Sequence, residues 1–110
     1  KRKVVEQVTA AAAEVLRDYE LVLIISPEVS EEEFEAALSY ISQLISGDGG
    51  VVSHTEQWGK RKLAYPIEHF AEGTYVLMRL NMRPSLSKEL ETKLKISEEF
   101  LRYLLIRLSS

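Results

Sequence analysis

The sequence predicts an α+β domain, a four-stranded antiparallel sheet with two helices on one face. Three observations carry that expectation. Short β-rich apolar runs stand at 18–26 and 100–108, bracketing the main body of the chain. Between them, two segments repeat their apolar residues at helical spacing. The resulting order of strand, helix, strand, strand, helix, strand is that of two split β-α-β units, the ferredoxin-like arrangement, which leaves one sheet face free to meet a partner.

Each element has its own warrant. "DYELVLIIS" (18–26) is apolar on both faces in its second half, as suits a central strand. Ser30 and Glu33 have the spacing of a capping box, and Val29 with Phe34 that of a hydrophobic staple. Phe34, Ala37, Leu38, Ile41, Leu44 and Ile45 then mark a helix from about 31 to 46, stopped by Gly47. "VVSHTEQW" (51–58) reads as a half-buried strand, with Gly59 marking a bulge. Pro66 cannot donate to a ladder, so that strand must end there or lie at an edge. "HFAEG" reads as a connection to "TYVLMRLNM" (74–82), whose Val76, Met78, Leu80 and Met82 form one apolar face. Pro84 opens a second helix carrying Leu86, Leu90 and Leu94, and "FLRYLLIRL" (100–108) closes the sheet. Residues 1–17 fall outside this unit and read as an N-terminal extension, either a flexible arm or one helix. The domain itself is expected over 18–108.

Composition narrows the function classes. The chain has 110 residues, 45% of them hydrophobic, which suits one domain with its own core. With no cysteine, disulfides and thiolate metal sites are excluded. The longest apolar run, Leu21 to Ile25, is far short of the roughly 20 residues needed to cross a bilayer. No secretory signal core is seen, so the expectation is a soluble intracellular protein with no membrane partner. The acidic run that opens with Glu31, Glu32 and Glu33 lies in the first turn of the helix at 31–46, where it complements the dipole without any partner.

Catalysis finds no support. The two histidines, His54 and His69, stand without a metal-binding cluster, so no metal or cofactor is expected. The turn "SPEVS" lacks the glycines of a phosphate-cradling loop and carries Glu28 instead. No convergent polar groups announce a pocket for a small-molecule substrate. The nearest approach to the RNA-recognition signature, Glu72 to Arg79, lacks the basic start and most of the aromatics. The chain is therefore not a standard RNA recognition motif.

One stretch stands apart. In a chain of net charge −3, "EQWGKRKLAYPI" (56–67) sets Lys60, Arg61 and Lys62 in a row between Trp58 and Tyr65. Alternation sends Lys60 and Lys62 to one side of a strand and Arg61 to the other. Two roles fit: solvated lysines that guard a strand edge, or cations that meet phosphate. Trp58 and Tyr65 can pack on the sheet, stack on a base, or anchor a protein partner.

"RDYELVLIISPEVSEEE", "EQWGKRKLAYPI", "GTYVLMRL" and "LRYLLIRL", in this order and spacing, resemble the bacterial small-subunit ribosomal protein S-six family. The block from Trp58 to Ile67 is its most specific part, and the likeness spans about 17–108. The resemblance implies a ribosome-bound, non-enzymatic protein of the cytoplasm or of an organelle. It implies pairing with ribosomal protein S-eighteen and binding to the central domain of small-subunit ribosomal RNA. It assigns RNA contacts to Arg17, Lys60, Arg61, Lys62, Arg102 and Arg107, and leaves Trp58 and Tyr65 as candidates for the partner interface. Residues 1–15 are an extension beyond the family's usual start, and Asp18 stands where some relatives carry a cation. The rival readings are a ferredoxin-like small-molecule-binding module and a protein-interaction module.

Overall fold

The computed structural model describes residues 15–67 and 69–108, and the expectations for residues 1–14 lie outside them. Six elements follow one another: β1 (Arg17–Ile25), α1 (Glu31–Gly47), β2 (Val51–Ile67), β3 (Phe70–Met82), α2 (Pro84–Ile96) and β4 (Phe100–Arg107). The four strands form one antiparallel sheet in the order β2-β3-β1-β4. That is the ferredoxin-like arrangement.

Local chemistry sets the element ends. The Ser30 hydroxyl accepts from the Glu33 N–H at 3.1 Å, and the Glu33 carboxylate accepts from the Ser30 N–H at 2.9 Å. This capping box satisfies two donors that the first turn of α1 would otherwise leave unpaired, worth about 1 kcal/mol. Pro84 starts α2, where its missing N–H costs nothing. At the opposite end of the helix layer, Arg83 grips Asp48 through two bonds, Nε to Oδ2 at 2.8 Å and Nη2 to Oδ1 at 2.7 Å. This fork ties the end of α1 to the start of α2.

Alternation in β1 and β3 divides the sheet into two faces. Leu21, Leu23 and Ile25 of β1 and Val76, Leu80 and Met82 of β3 are almost completely buried. They pack with Leu38, Ile41 and Ile45 of α1 and with Leu86, Leu90 and Leu94 of α2. The staple residues Val29 and Phe34 sit against this core. The interleaved residues Val22, Ile24, Tyr75 and Arg79 form the other face, over which no helix of the described residues lies.

Two boundaries differ from the sequence expectation, and at Pro66 the edge-strand alternative holds. β1 starts at Arg17, which pairs with Met82, one residue before the expected domain start. β2 continues through Pro66 to Ile67, because it is an edge strand and a proline there forfeits no ladder bond. β3 starts at Phe70, so the "connection" 70–73 is strand. Its residues pair with β2 alone, with Arg61 opposite Gly73, Lys62 opposite Glu72 and Ile67 opposite Phe70. A side chain at Gly73 would bring its Cβ to 2.4 Å from Ile24 Cγ2, so β3 passes β1 closely here only because this residue is glycine.

Candidate nucleic-acid and partner interface

The site is built on the open sheet face and its β2 edge. Between Gln57 and Gly59 the β2–β3 register shifts by one: Gln57 faces Val76, Gly59 faces Tyr75, and Trp58 is the extra residue. Gly59 has φ 82°, a left-handed conformation that glycine adopts without a Cβ penalty. The bulge inverts the alternation of the strand. Simple counting from Trp58 puts Lys60 and Lys62 on the indole's side and Arg61 on the other. Past the bulge, Arg61 faces Gly73 and shares the open face with Tyr75, while Lys60 faces Thr74 on the helix side.

Two contacts agree with this division. The Arg61 guanidinium carbon lies 5.9 Å from the centre of the Trp58 ring, within cation–π range. Lys60 instead borders a hollow shared with Ser30, Glu31 and Phe34 at the start of α1. The three cations therefore split: Arg61 joins an aromatic on the open face, while Lys60 and Lys62 face Thr74 and Glu72 on the helix side.

Trp58 is held from several directions. Its ring stacks on Tyr75 with centroids 6.3 Å apart and planes 11° from parallel. Its indole N–H donates to Glu56 Oε1 at 2.8 Å, while His54 Nε2 lies 2.7 Å from Glu56 Oε2. The indole N–H first, and the His54 ring second, hold the Glu56 carboxyl below the usual carboxylate range. This His54–Glu56–Trp58 chain was not anticipated from the sequence. Its signal is present there, as donors and acceptors at i, i+2 and i+4 of one strand.

The remaining expected residues form no single patch. Arg102, exposed on β4, lies on the open face in the row Arg102, Ile24, Tyr75, Gly59. Three strand spacings separate it from β2, roughly 14 Å. Arg107 faces Tyr19 and Arg17 faces Met82, so the two are diagonal neighbours at the other end of the sheet, on its helix side. Tyr65 lies where four β2 residues, 63–66, stand opposite Ala71 alone, and this irregularity leaves it 65% exposed.

Between the arginines the open face is apolar. Leu104, Val22 and Leu77 line up across three strands, and Leu104 and Ile106 remain 55% and 42% exposed. Glu20 and Arg79, 3.3 Å apart, form the polar row beside them. An apolar strip that is buried at Leu77 but open at Leu104 and Ile106, with a mixed charged rim, has the make-up of a protein interface. The arginines at its margins can contact phosphate as well.

Comparison with known proteins fits this arrangement. The family model described as Ribosomal protein S6 matches residues 18–107. The chain is 45% identical over 92 residues to small ribosomal subunit protein bS6 of Caldanaerobacter subterraneus subsp. tengcongensis, covering 84% of this chain and 97% of that one. It is 41% identical over 93 residues to the bS6 protein of Moorella thermoacetica, covering 84% and 95%. The crystal structure of 30S ribosomal protein S6 from Thermotoga maritima superimposes with a TM-score of 0.79 at 32% identity, covering 84% of this chain and 88% of that one. These names describe ribosomal proteins and no enzyme. The chain belongs to the ribosomal protein S6 family.

Proposed function

We propose that this protein is a structural constituent of the small ribosomal subunit, bound to ribosomes in the cytoplasm. In this reading it binds the central domain of small-subunit ribosomal RNA jointly with ribosomal protein S-eighteen. The observation that carries the proposal is the open sheet face. Its exposed apolar residues Leu104 and Ile106, beside half-buried Val22, suit a protein partner, and Arg61 and Arg102 stand at its margins where RNA phosphates can approach. Arg17 and Arg107 offer a second pair of phosphate contacts at the far end of the sheet.

The charge distribution favours joint rather than solitary binding. Each phosphate contact contributes through local counterion release, and a chain of net charge −3 with divided cations offers few together. The protein alone should therefore bind a central-domain RNA fragment weakly, with a Kd of about micromolar or above. Added S-eighteen should tighten binding strongly. A filter-binding or calorimetric titration at physiological salt tests this. Equal affinity for the protein alone and for the pair would refute joint recognition.

A further inference from the structure

We propose that Glu56 is the positioning residue of the interface: it fixes the Trp58 indole and, through that ring, the direction of the Arg61 guanidinium. The inference rests on the functional reading above and deepens it. An edge-strand tryptophan 40% exposed to solvent has room to change rotamer. Here the indole N–H, a donor with no acceptor capacity, is bonded to one oxygen of Glu56 while His54 engages the other. Both Glu56 oxygens are occupied, so the carboxylate cannot turn without breaking a bond. Tyr75 supports the ring by stacking. The guanidinium of Arg61 lies over that ring and is attracted by its π face, so the cation's mean position follows the indole.

A purely structural role explains this arrangement poorly. The His54 and Glu56 side chains are 50% and 45% exposed, and polar contacts at such exposure add little to stability. What the chain of bonds does supply is order in the two side chains most able to anchor a ligand, an aromatic and an arginine. Ordering them in the free protein removes that entropic cost from association. Arg79 and Glu20 lie on the same face but pair with each other.

Trp58 is the single tryptophan of the chain, so its emission reports this site directly. The full-length protein is compared with Glu56→Ala and Glu56→Gln by fluorescence, and with these and Trp58→Phe by binding of a central-domain RNA fragment with S-eighteen. Glu56→Ala is expected to red-shift the emission and to raise quenching by acrylamide. It is also expected to weaken binding roughly two- to tenfold, the range spanned by ordering one long side chain. Glu56→Gln, which keeps an acceptor for the indole, should fall between it and the wild type. On a Trp58→Phe background, Glu56→Ala should add no further loss. Unchanged emission, unchanged affinity, or an equal loss on the Trp58→Phe background would each overturn the positioning role. A wild-type pair that fails to bind at all would instead overturn the functional reading, leaving the emission to decide whether Glu56 holds Trp58.

Discussion

In the second half of β1 the two faces are nearly equal in hydrophobicity and opposite in fate. Leu21, Leu23 and Ile25 vanish beneath α1 and α2, while Val22 and Ile24 stay half exposed on the open side. What separates them is the company supplied by neighbouring strands. On the helix side Val76, Leu80 and Met82 continue the apolar layer; on the open side Glu20, Arg79, Glu56 and Arg102 interrupt it. The first face is completed by its own chain. The second has the composition of an interface, whose apolar centre is covered by another molecule and whose charged margin chooses which one.

The largest test of this contrast is a pair of truncations. Leu90→Ala, in the closed layer, should cost about 2–5 kcal/mol of folding stability through reduced burial and a cavity. Leu104→Ala, on the open face, should change stability by only about 0.5 kcal/mol yet weaken association with S-eighteen. Urea unfolding and pull-down of the two variants would compare them. A reversed ranking would mean the open face is core.

The division of the basic row is sharpened by splitting it. Arg61→Gln should flatten the plot of log affinity against log salt, by roughly 0.7–0.9 for a single phosphate left without its cation. Lys60→Gln with Lys62→Gln should change the slope less, because Lys60 and Lys62 face Thr74 and Glu72 on the helix side, away from the open face. If the lysine pair flattens the slope and Arg61→Gln does not, the RNA runs along the helix side.

The bulge that creates this division can be strained. Gly59→Ala should cost about 1–2 kcal/mol, the penalty of a left-handed residue with a Cβ. Nothing lies within 4 Å of that Cβ, so the cost is conformational rather than steric. Gly59→Asn should therefore cost less, since asparagine tolerates this conformation. Equal losses for the two, measured by thermal unfolding, would point to a hidden clash.

A smaller effect concerns acid. Arg83, chiefly through its hydrogen bonds, holds the Asp48 carboxyl below its ordinary value of 3.8. A depressed folded-state pKa adds stability that is complete above the ordinary value and is lost as pH falls through the lower one. Asp48→Asn should thus lower stability near neutrality by up to about 1 kcal/mol, as for a partly exposed pair. It should also flatten the decline in stability below about pH 4. Urea midpoints measured across the acid range would show a parallel decline in the variant if another carboxylate is responsible.

Periodicity made most of the fold legible. Leu86, Leu90 and Leu94 mark the buried stripe of α2, and Ser30 with Glu33 marks the start of α1, because both signals are local. The start of β3 was hidden because Ala71, Glu72 and Gly73 carry no alternation; their strand geometry comes from pairing with β2. Gly59 announced a bulge. Its effect on the faces of Lys60 and Arg61 needed the register, which depends on partners in the next strand. Tyr75 beneath Trp58 was illegible for the same reason.

The stretch of β3 that pairs with β2 alone has a dynamic consequence. Beyond Thr74, where β1 ends, residues 61–67 and 70–73 form a two-stranded ribbon with no third strand among the described residues. Such ribbons are marginal by themselves. This one can open at a free energy well below that of global unfolding, so its amides should exchange with deuterium long before those of β1. Arg61, Lys62 and Tyr65 thus stand on the first part of the sheet to breathe, and a bound molecule that spans the ribbon will announce itself as slowed exchange there while the core stays silent.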